Sequence, residues 1–533
     1  MASDWQFPYP SQRMPVLAEH VVATSQPLAA EAGLDALRRG GTAVDAVVAA
    51  AATLTVVEPT SNGLGSDAFA LVWDGTALHG LNASGRSPAG LDAERFLGST
   101  AMPTRGWDAV TVPGAVSAWA ALATRFGRLG LDALVEPAAR YAEHGWAVGP
   151  ITAAAWAQAS RRLTEVEGFA EAFLPGGRAP RPGERFALPA QAATLRAIGA
   201  SGGEAFYRGE VAERILAAAR AAGAPWAEAD LAGHRADWVT PLRRPAFGLE
   251  VAELPPNGQG LTALAALGIL ERTGVADADP DSADAIHLAV EAMKRAFVDA
   301  HAEVADPAAM RIGPEDLLDA GRLSAHAAAI DPDRAAGEAP ASLLPGGTVY
   351  LTAADGEGRM ASYIQSNYMG FGSGVVAPGT GVSLQNRGAG FSTTPGHPNA
   401  VAGGKRPFHT IIPAFAFAAG EPALAFGVMG GHMQPQGHLQ MVLRLGAHGQ
   451  NPQAAADAPR WRVDPGRRLA LEAGLGGAVA EDLRRRGHDV AVSPPGLSDA
   501  SFGFGGAQLV ERHPDGVWLA ASDPRKEGAA VGF

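Results

Sequence analysis

Two periods of apolar residues divide this chain. Between residues 25 and 57 the spacing is helical and Ala-rich, and it predicts two helices separated by "RRGGT". Gly40 and Gly41 can end the first helix, and Thr42 can cap the second. The stretch "NGLGSDAFALVWDGTALHGLNASGRSP" then alternates and turns at Asp74-Gly75, the pattern of a β-hairpin. Residues 114 to 230 read as helix-rich, interrupted by "LPGGRAPRPGE", which has the composition of a surface loop. A further helix is predicted in "DSADAIHLAVEAMKRAFVDAHAEVAD", where Ile286, Val290, Met293 and Phe297 share one face. Residues 306 to 347 lose all periodicity and read as a long loop rich in Pro, Ala, Gly and Asp. From Thr348 onward the strand-like segments "TVYLTAAD", "MASYIQSNY", "TIIPAFAFAA" and "PALAFGVMG" are accompanied by helical patterns near 434–446 and 476–486. A sheet covered by helices on both faces is the simplest arrangement of such a mixture.

Composition narrows the class. With 533 residues, 47% hydrophobic and 18% charged, the chain can bury a large core. A net charge of −13 without a Lys/Arg cluster argues against a nucleic-acid partner. The absence of cysteine excludes disulfides, thiolate metal sites and Cys nucleophiles. The 14 histidines show no HExxH or comparable spacing, so neither a metal nor a cofactor is expected. The start "MASDWQFPYPSQRMP" lacks a basic segment followed by an apolar one, which makes cytoplasmic residence the default expectation. The apolar run "AVDAVVAAAATLTVVEP" contains Asp45 and stops at Glu58-Pro59; it reads as a buried helix, and no membrane association is expected.

Gly346 and Gly347 directly precede Thr348 at the start of a strand. A turn before a strand that favours Thr accounts for this by itself. The alternative is that the chain cuts its own Gly347–Thr348 bond. Glycine gives the carbonyl the freedom to meet the Thr hydroxyl, and the cut creates an N-terminal Thr whose α-amine can act as base for its own Oγ.

The stretch "GGTVYLTAADGEGRMASYIQSNYMGFGSGVVAPGTGVSLQNRGAGF" resembles the start of the small subunit in the γ-glutamyltransferase family of N-terminal-nucleophile hydrolases. The blocks "GGTAVDAVVAAAATLTVVEPTSNGLGSDAFALVWDG", "VPGAVSAWAALATRFGRLGLDALVEPAARYAEHGW", "HLAVEAMKRAFVDAHAEVADP", "KRPFHTIIPAF", "GVMGGHMQPQ" and "ASDPRKEGAAVGF" continue the likeness in order over nearly the whole chain. The resemblance implies an α/β fold, a four-layer αββα sandwich. It also implies a precursor divided into a large segment, 1–347, and a small one, 348–533, intertwined in one unit, with a higher oligomer possible. Thr348 is then the nucleophile, Gly430 and Gly431 the oxyanion glycines, and Ser366 a hydroxyl supporting Thr348 where the family has threonine.

The positions that hold the substrate depart from the family pattern. Gly390 stands where an aspartate is expected, Arg387 for a glutamine, Tyr368 for an asparagine, and His409 and Thr410 for a pair of serines. Ser84 replaces the arginine that would hold the α-carboxylate, with Arg86 two residues away as a substitute. "GLGSDAF" carries Ser66, Asp67 and Ala68 where the family is glycine-rich; it reads as a surface turn, with Asp67 as a replacement for a lost contact the alternative. An ammonium deprived of its carboxylate and faced by a guanidinium is repelled. The expected substrate is therefore a small amide whose acid part has no amine, such as a dicarboxylic monoamide held by Arg387. Family members with altered clamps hydrolyse oxamate, glutaryl or cephalosporin side-chain amides. A true γ-glutamyltransferase, a C–C bond hydrolase and an unprocessed binding protein stand as alternatives.

Overall fold

Two seven-stranded sheets, antiparallel throughout, stack face to face. The first runs Ala529–Gly532, Val21–Thr24, Gly347–Ala354, Met360–Tyr368, Asp67–Trp73, Leu78–Asn82, Asp237–Val239. The second runs Val16–Ala18, Trp518–Ser522, Gly506–Arg512, Glu421–Met429, Ala414–Ala418, Leu249–Glu253, Leu242–Ala246. Both sheets thus combine strands from before and after residue 348. The computed structural model describes residues 13–96, 99–166, 168–337, 346–494, 501–513 and 515–533.

Strand periodicity places each side chain in a layer. Tyr350, Ile364, Phe69 and Leu71 meet Phe415, Phe417, Ala425 and Val510 between the sheets. The intervening residues Val349, Leu351, Tyr363, Ala70 and Val72 point outward into helices that include Ala43–Val57. On the far side, Val251, Phe426, Val428 and Leu509 pack against Gly260–Leu270 and Ala283–Glu303. The result is a four-layer αββα sandwich in which both faces of each sheet are apolar. Two stacked sheets, instead of one sheet between helices, are what such doubly apolar strands require.

The helix Ala43–Val57 is buried along its whole length. Its first turn is fixed by a reciprocal cap: the Thr42 N–H donates to Asp45 Oδ2 at 2.8 Å, and the Asp45 N–H donates to Thr42 Oγ1 at 3.2 Å. Gly40, with φ of 84°, ends the preceding helix Pro27–Arg38 as expected. The span 306–347 differs from the long loop expected of it, because it contains the helices Pro314–Leu317 and Ala320–Ala328. Each is anchored by one buried leucine, Leu317 or Leu323, too few apolar positions to make a visible period, and Asp319 caps the second by accepting from the Arg322 N–H at 2.9 Å. Among the described residues no helix is long and apolar enough to cross a membrane.

Candidate active site

Thr348, Ser366 and Asp67 lie side by side on three adjacent strands. Thr348 shares the parity of Tyr350 and Ala354, which face the second sheet. Ser366 has the parity of Ile364 on the next strand, and it is in register with Asp67 on the one beyond. All three are buried, with relative exposures of 3%, 0% and 0%. The ladder is irregular between Gly347 and Val349, so the chain bulges immediately at the Gly347–Thr348 bond.

Ser366 organises this row. Its hydroxyl donates to the Gly347 carbonyl at 2.7 Å and accepts from the Tyr368 N–H at 2.8 Å. With that proton committed, the 3.1 Å contact between Thr348 Oγ1 and Ser366 Oγ has Thr348 as its donor. Thr348 Oγ therefore keeps its lone pairs free beside a carbonyl that Ser366 polarises. Tyr368 ends the strand with φ of 74°, a conformation costly for a bulky residue.

The second sheet contributes Gly430 and Gly431, which follow the strand Glu421–Met429 and precede the helix Met433–Val442. Their φ values of 122° and 63° require glycine, and the helix N-terminus behind them favours negative charge. The backbone ahead of Thr348 lies directly on them: a Cβ on Gly346 would sit 2.9 Å from Gly431 N. Gln259 braces this corner, its Nε2 donating to the carbonyls of Gly431 at 2.9 Å and Thr410 at 2.5 Å.

Arg387 completes the group. It is 0% exposed, yet among the described residues no carboxylate lies within ion-pairing distance of it. Nη1 donates to Thr410 Oγ1 at 2.7 Å, Nη2 reaches Ser366 Oγ at 3.5 Å, and Nε has no partner. The guanidinium stacks on the Tyr368 ring, 4.1 Å from its centroid. Burial pulls its pKa down to about 10, against the opposing pull of Tyr368 and Asp67. Asp67 accepts from His409 Nε2 at 3.0 Å and from the Gly85 N–H at 3.3 Å. Burial pushes its carboxyl up to about 7 in spite of the Arg387 charge. Burial, reinforced by Arg387 and Arg406, holds His409 neutral, far below its ordinary value. His409 Nδ1 accepts from the Ile411 N–H at 3.3 Å, which places the ring proton on Nε2.

The gamma-glutamyltranspeptidase family model matches residues 29–533 of this sequence. The chain belongs to that family. It is 40% identical to an oxamate amidohydrolase proenzyme of Klebsiella pneumoniae, over 95% of this chain and 97% of the relative. It is 36% identical to a glutathione hydrolase-like YwrD proenzyme of Bacillus subtilis, over 97% and 98%. Its fold superposes on a cephalosporin acylase from Bacillus halodurans with a TM-score of 0.94 and 46% identity, over 100% of this chain and 99% of that one. This γ-glutamyltranspeptidase-family chain is thus a hydrolase or acyl-transfer enzyme.

The structure brings Thr348, Ser366, Gly430, Gly431, Tyr368, Arg387, His409 and Thr410 into one contact network, linked through Gln259 and Asp67. Arg86 is directed elsewhere. Its Nη1 pairs with Asp306 at 2.7 Å with the side chain half exposed, and no contact joins it to Thr348 among the described residues. Asp67 is also not on a surface turn: Ser66 and Asp67 are fully buried where the first sheet meets the loops of Gly85 and Gly114. Gln259 escaped the sequence reading because it carries no local motif. One cluster with metal-ligand chemistry, His287, Glu291 and His488, has its donor atoms within 4.8 Å of one another. Lys294 Nζ sits 2.8 Å from Glu291 Oε1 and already supplies the positive charge there.

Proposed function

We propose that the protein cuts its own Gly347–Thr348 bond and then hydrolyses a small amide bearing a free carboxylate, through an acyl-enzyme on Thr348. In the maturation step Thr348 Oγ adds to the Gly347 carbonyl carbon, the C–N bond breaks, and an ester and a free α-amine result. Water opens the ester, leaving a carboxylate on Gly347 and the hydroxyl on Thr348. Ser366, already donating to the Gly347 carbonyl at 2.7 Å, stabilises the charge that develops there.

In turnover Thr348 Oγ attacks the substrate carbonyl while its own α-amine takes the proton. The Gly430 and Gly431 N–H groups hold the oxyanion. The proton passes to the departing amine, and water releases the acid by the same route.

The observation that carries the substrate class is Arg387, a buried guanidinium without a carboxylate, separated from Thr348 only by the Ser366 hydroxyl. A short acid suits that spacing: in oxamate the carboxylate is bonded directly to the carbonyl under attack, whereas a glutaryl chain sets the two three methylenes apart. Similarity to the oxamate amidohydrolase proenzyme supports the same order. Electrostatics disfavours γ-glutamyl compounds, whose ammonium would meet Arg387 with Gly390 in place of an acidic partner.

Intact mass under denaturing conditions tests maturation, with new ends at Gly347 and Thr348 expected. Ammonia release from oxamate, malonamate, succinamate and glutaramate, beside release from γ-glutamyl-p-nitroanilide, tests specificity. Rates should fall with chain length. Faster turnover of the γ-glutamyl compound than of every acid amide would reverse the reading in favour of a glutathione hydrolase.

A further inference from the structure

Asp67 has no role in the acyl transfer just described, yet it is the ionisable carboxyl nearest in the sheet to the nucleophile. It stands in register with Ser366, the residue that touches both Thr348 and Arg387. Its surroundings are closed. His409 Nε2–H and the Gly85 N–H donate to it, a Cβ on Gly114 would lie 3.4 Å from its Oδ1, and the nearby Tyr207 hydroxyl is tied to the Pro113 carbonyl at 2.9 Å. Two cations act on it, Arg387 and Arg406. Arg406 is already matched by Asp237 at 2.7 Å, so Arg387, which has no carboxylate in contact, is the cation whose field chiefly favours an ionised Asp67 in the free enzyme.

A substrate carboxylate brought onto Arg387 places a second negative charge in this dry space. One cation cannot hold two ionised carboxyls there. We propose that Asp67 takes up one proton from solvent as a substrate carboxylate arrives on Arg387, so that recognition of the acid is coupled to protonation on the neighbouring strand. The proton belongs on Asp67 and not on His409, because His409 Nδ1 is occupied by the Ile411 N–H; the Thr348 α-amine freed by processing also titrates in this range, and uptake on it would persist in Asp67→Asn. Burial pushes the Asp67 carboxyl up to about 7 in the free enzyme. Below that pH it is already protonated and the acid binds without uptake; above it each binding event draws a proton.

The inference rests on the reading of Arg387 as the carboxylate anchor. Its test is calorimetric titration of the processed enzyme with oxalate, malonate and succinate at pH 6 and pH 8, each in buffers of different ionisation enthalpy. Uptake of roughly 0.1 proton at pH 6 and roughly 0.9 at pH 8 is expected, with affinity falling about tenfold per pH unit above 7. Asp67→Asn should abolish the uptake and flatten the affinity profile. Binding that disappears in Arg387→Met but shows no uptake in the wild type, a measurement that needs no Asp67 variant, overturns the coupling alone. Uptake that persists in Asp67→Asn does the same. Failure of all three acids to bind, or binding unaffected by Arg387→Met, overturns the anchor and the coupling together.

Discussion

Replacing Ser366 by Ala should slow self-cleavage while leaving the chain folded. The Ser366 hydroxyl is the donor on the Gly347 carbonyl, at 2.7 Å and fully buried. Donors aimed at a developing oxyanion are worth about 10²–10³ in rate when removed. This one is already made before the reaction, so only its strengthening in the transition state counts, which favours the lower end, about a hundredfold. The same change leaves the Tyr368 N–H without its acceptor, and a buried donor so orphaned costs about 1–3 kcal/mol of stability. Freshly purified Ser366→Ala should therefore persist as the intact chain about a hundred times longer than wild type in a time course of intact mass. Ser366→Thr, which keeps the hydroxyl, should mature within a few-fold of wild type, and Thr348→Ala should never cleave. A Ser366→Ala protein that is folded by circular dichroism and matures at the wild-type rate would refute the assignment of the Ser366 hydroxyl to the scissile carbonyl.

Arg387→Met should cut kcat/KM for carboxylate-bearing amides by about a hundredfold, the scale of one charge-assisted recognition pair, with thermal stability unchanged or raised. A loss of about 2 kcal/mol or more in calorimetry would instead make Arg387 a structural residue. Gln259→Ala frees the Gly431 and Thr410 carbonyls from their shared donor and should lower kcat about tenfold with little change in KM, read from steady-state kinetics on oxamate. For Asp523, burial acts upward, but Arg460 and Arg525 with the N–H groups of Ala507 and Arg525 outweigh it and hold the carboxyl at about 2 against an ordinary 3.8. A depressed carboxyl contributes stability above its unfolded value and loses it as pH falls through the folded one. About 2 kcal/mol should therefore disappear between roughly pH 4 and pH 2 in denaturant titrations, and Asp523→Asn should remove that part of the slope.

The Thr348–Ser366 pair came from the family resemblance, and the structure puts the two hydroxyls in contact because a single hairpin joins their strands. Once Gly347–Ala354 and Met360–Tyr368 pair around the turn at Gly358, the register Val349 to Gln365 leaves Ser366 opposite Thr348. Gly430 and Gly431 were likewise named by resemblance, and they lie where two glycines join a strand to a helix. Asp67 was misread because "GLGSD" has turn composition, and its burial is created by segments distant in the chain. Gly114 approaches so closely that a Cβ there would lie 1.4 Å from the Ala83 carbonyl, a contact that no local pattern announces. Arg86 was misread by proximity in sequence to Ser84. Ser84 Oγ turns inward to Asn82 Oδ1 at 2.7 Å, whereas the Arg86 side chain leaves for Asp306. The helices in 306–347 were lost because each offers a single buried leucine.

Reaction type and substrate choice are carried by different parts of the architecture. The hydroxyl row sits on one sheet and the paired glycines end a strand of the other, so backbone register holds the acyl-transfer geometry whatever charges line the pocket. Arg387 belongs to neither sheet. It stands on the short turn Arg387–Gly390, braced by Thr410 and Tyr368, and the charge offered to the substrate can change there without moving a strand. The cost of keeping that guanidinium buried and unpaired falls on stability, several kcal/mol per ion before compensation, and a well-packed apolar side chain would avoid it. On the proposed reading, a buried guanidinium beside Thr348 with no carboxylate in contact is arranged for an incoming anion to complete the ion pair.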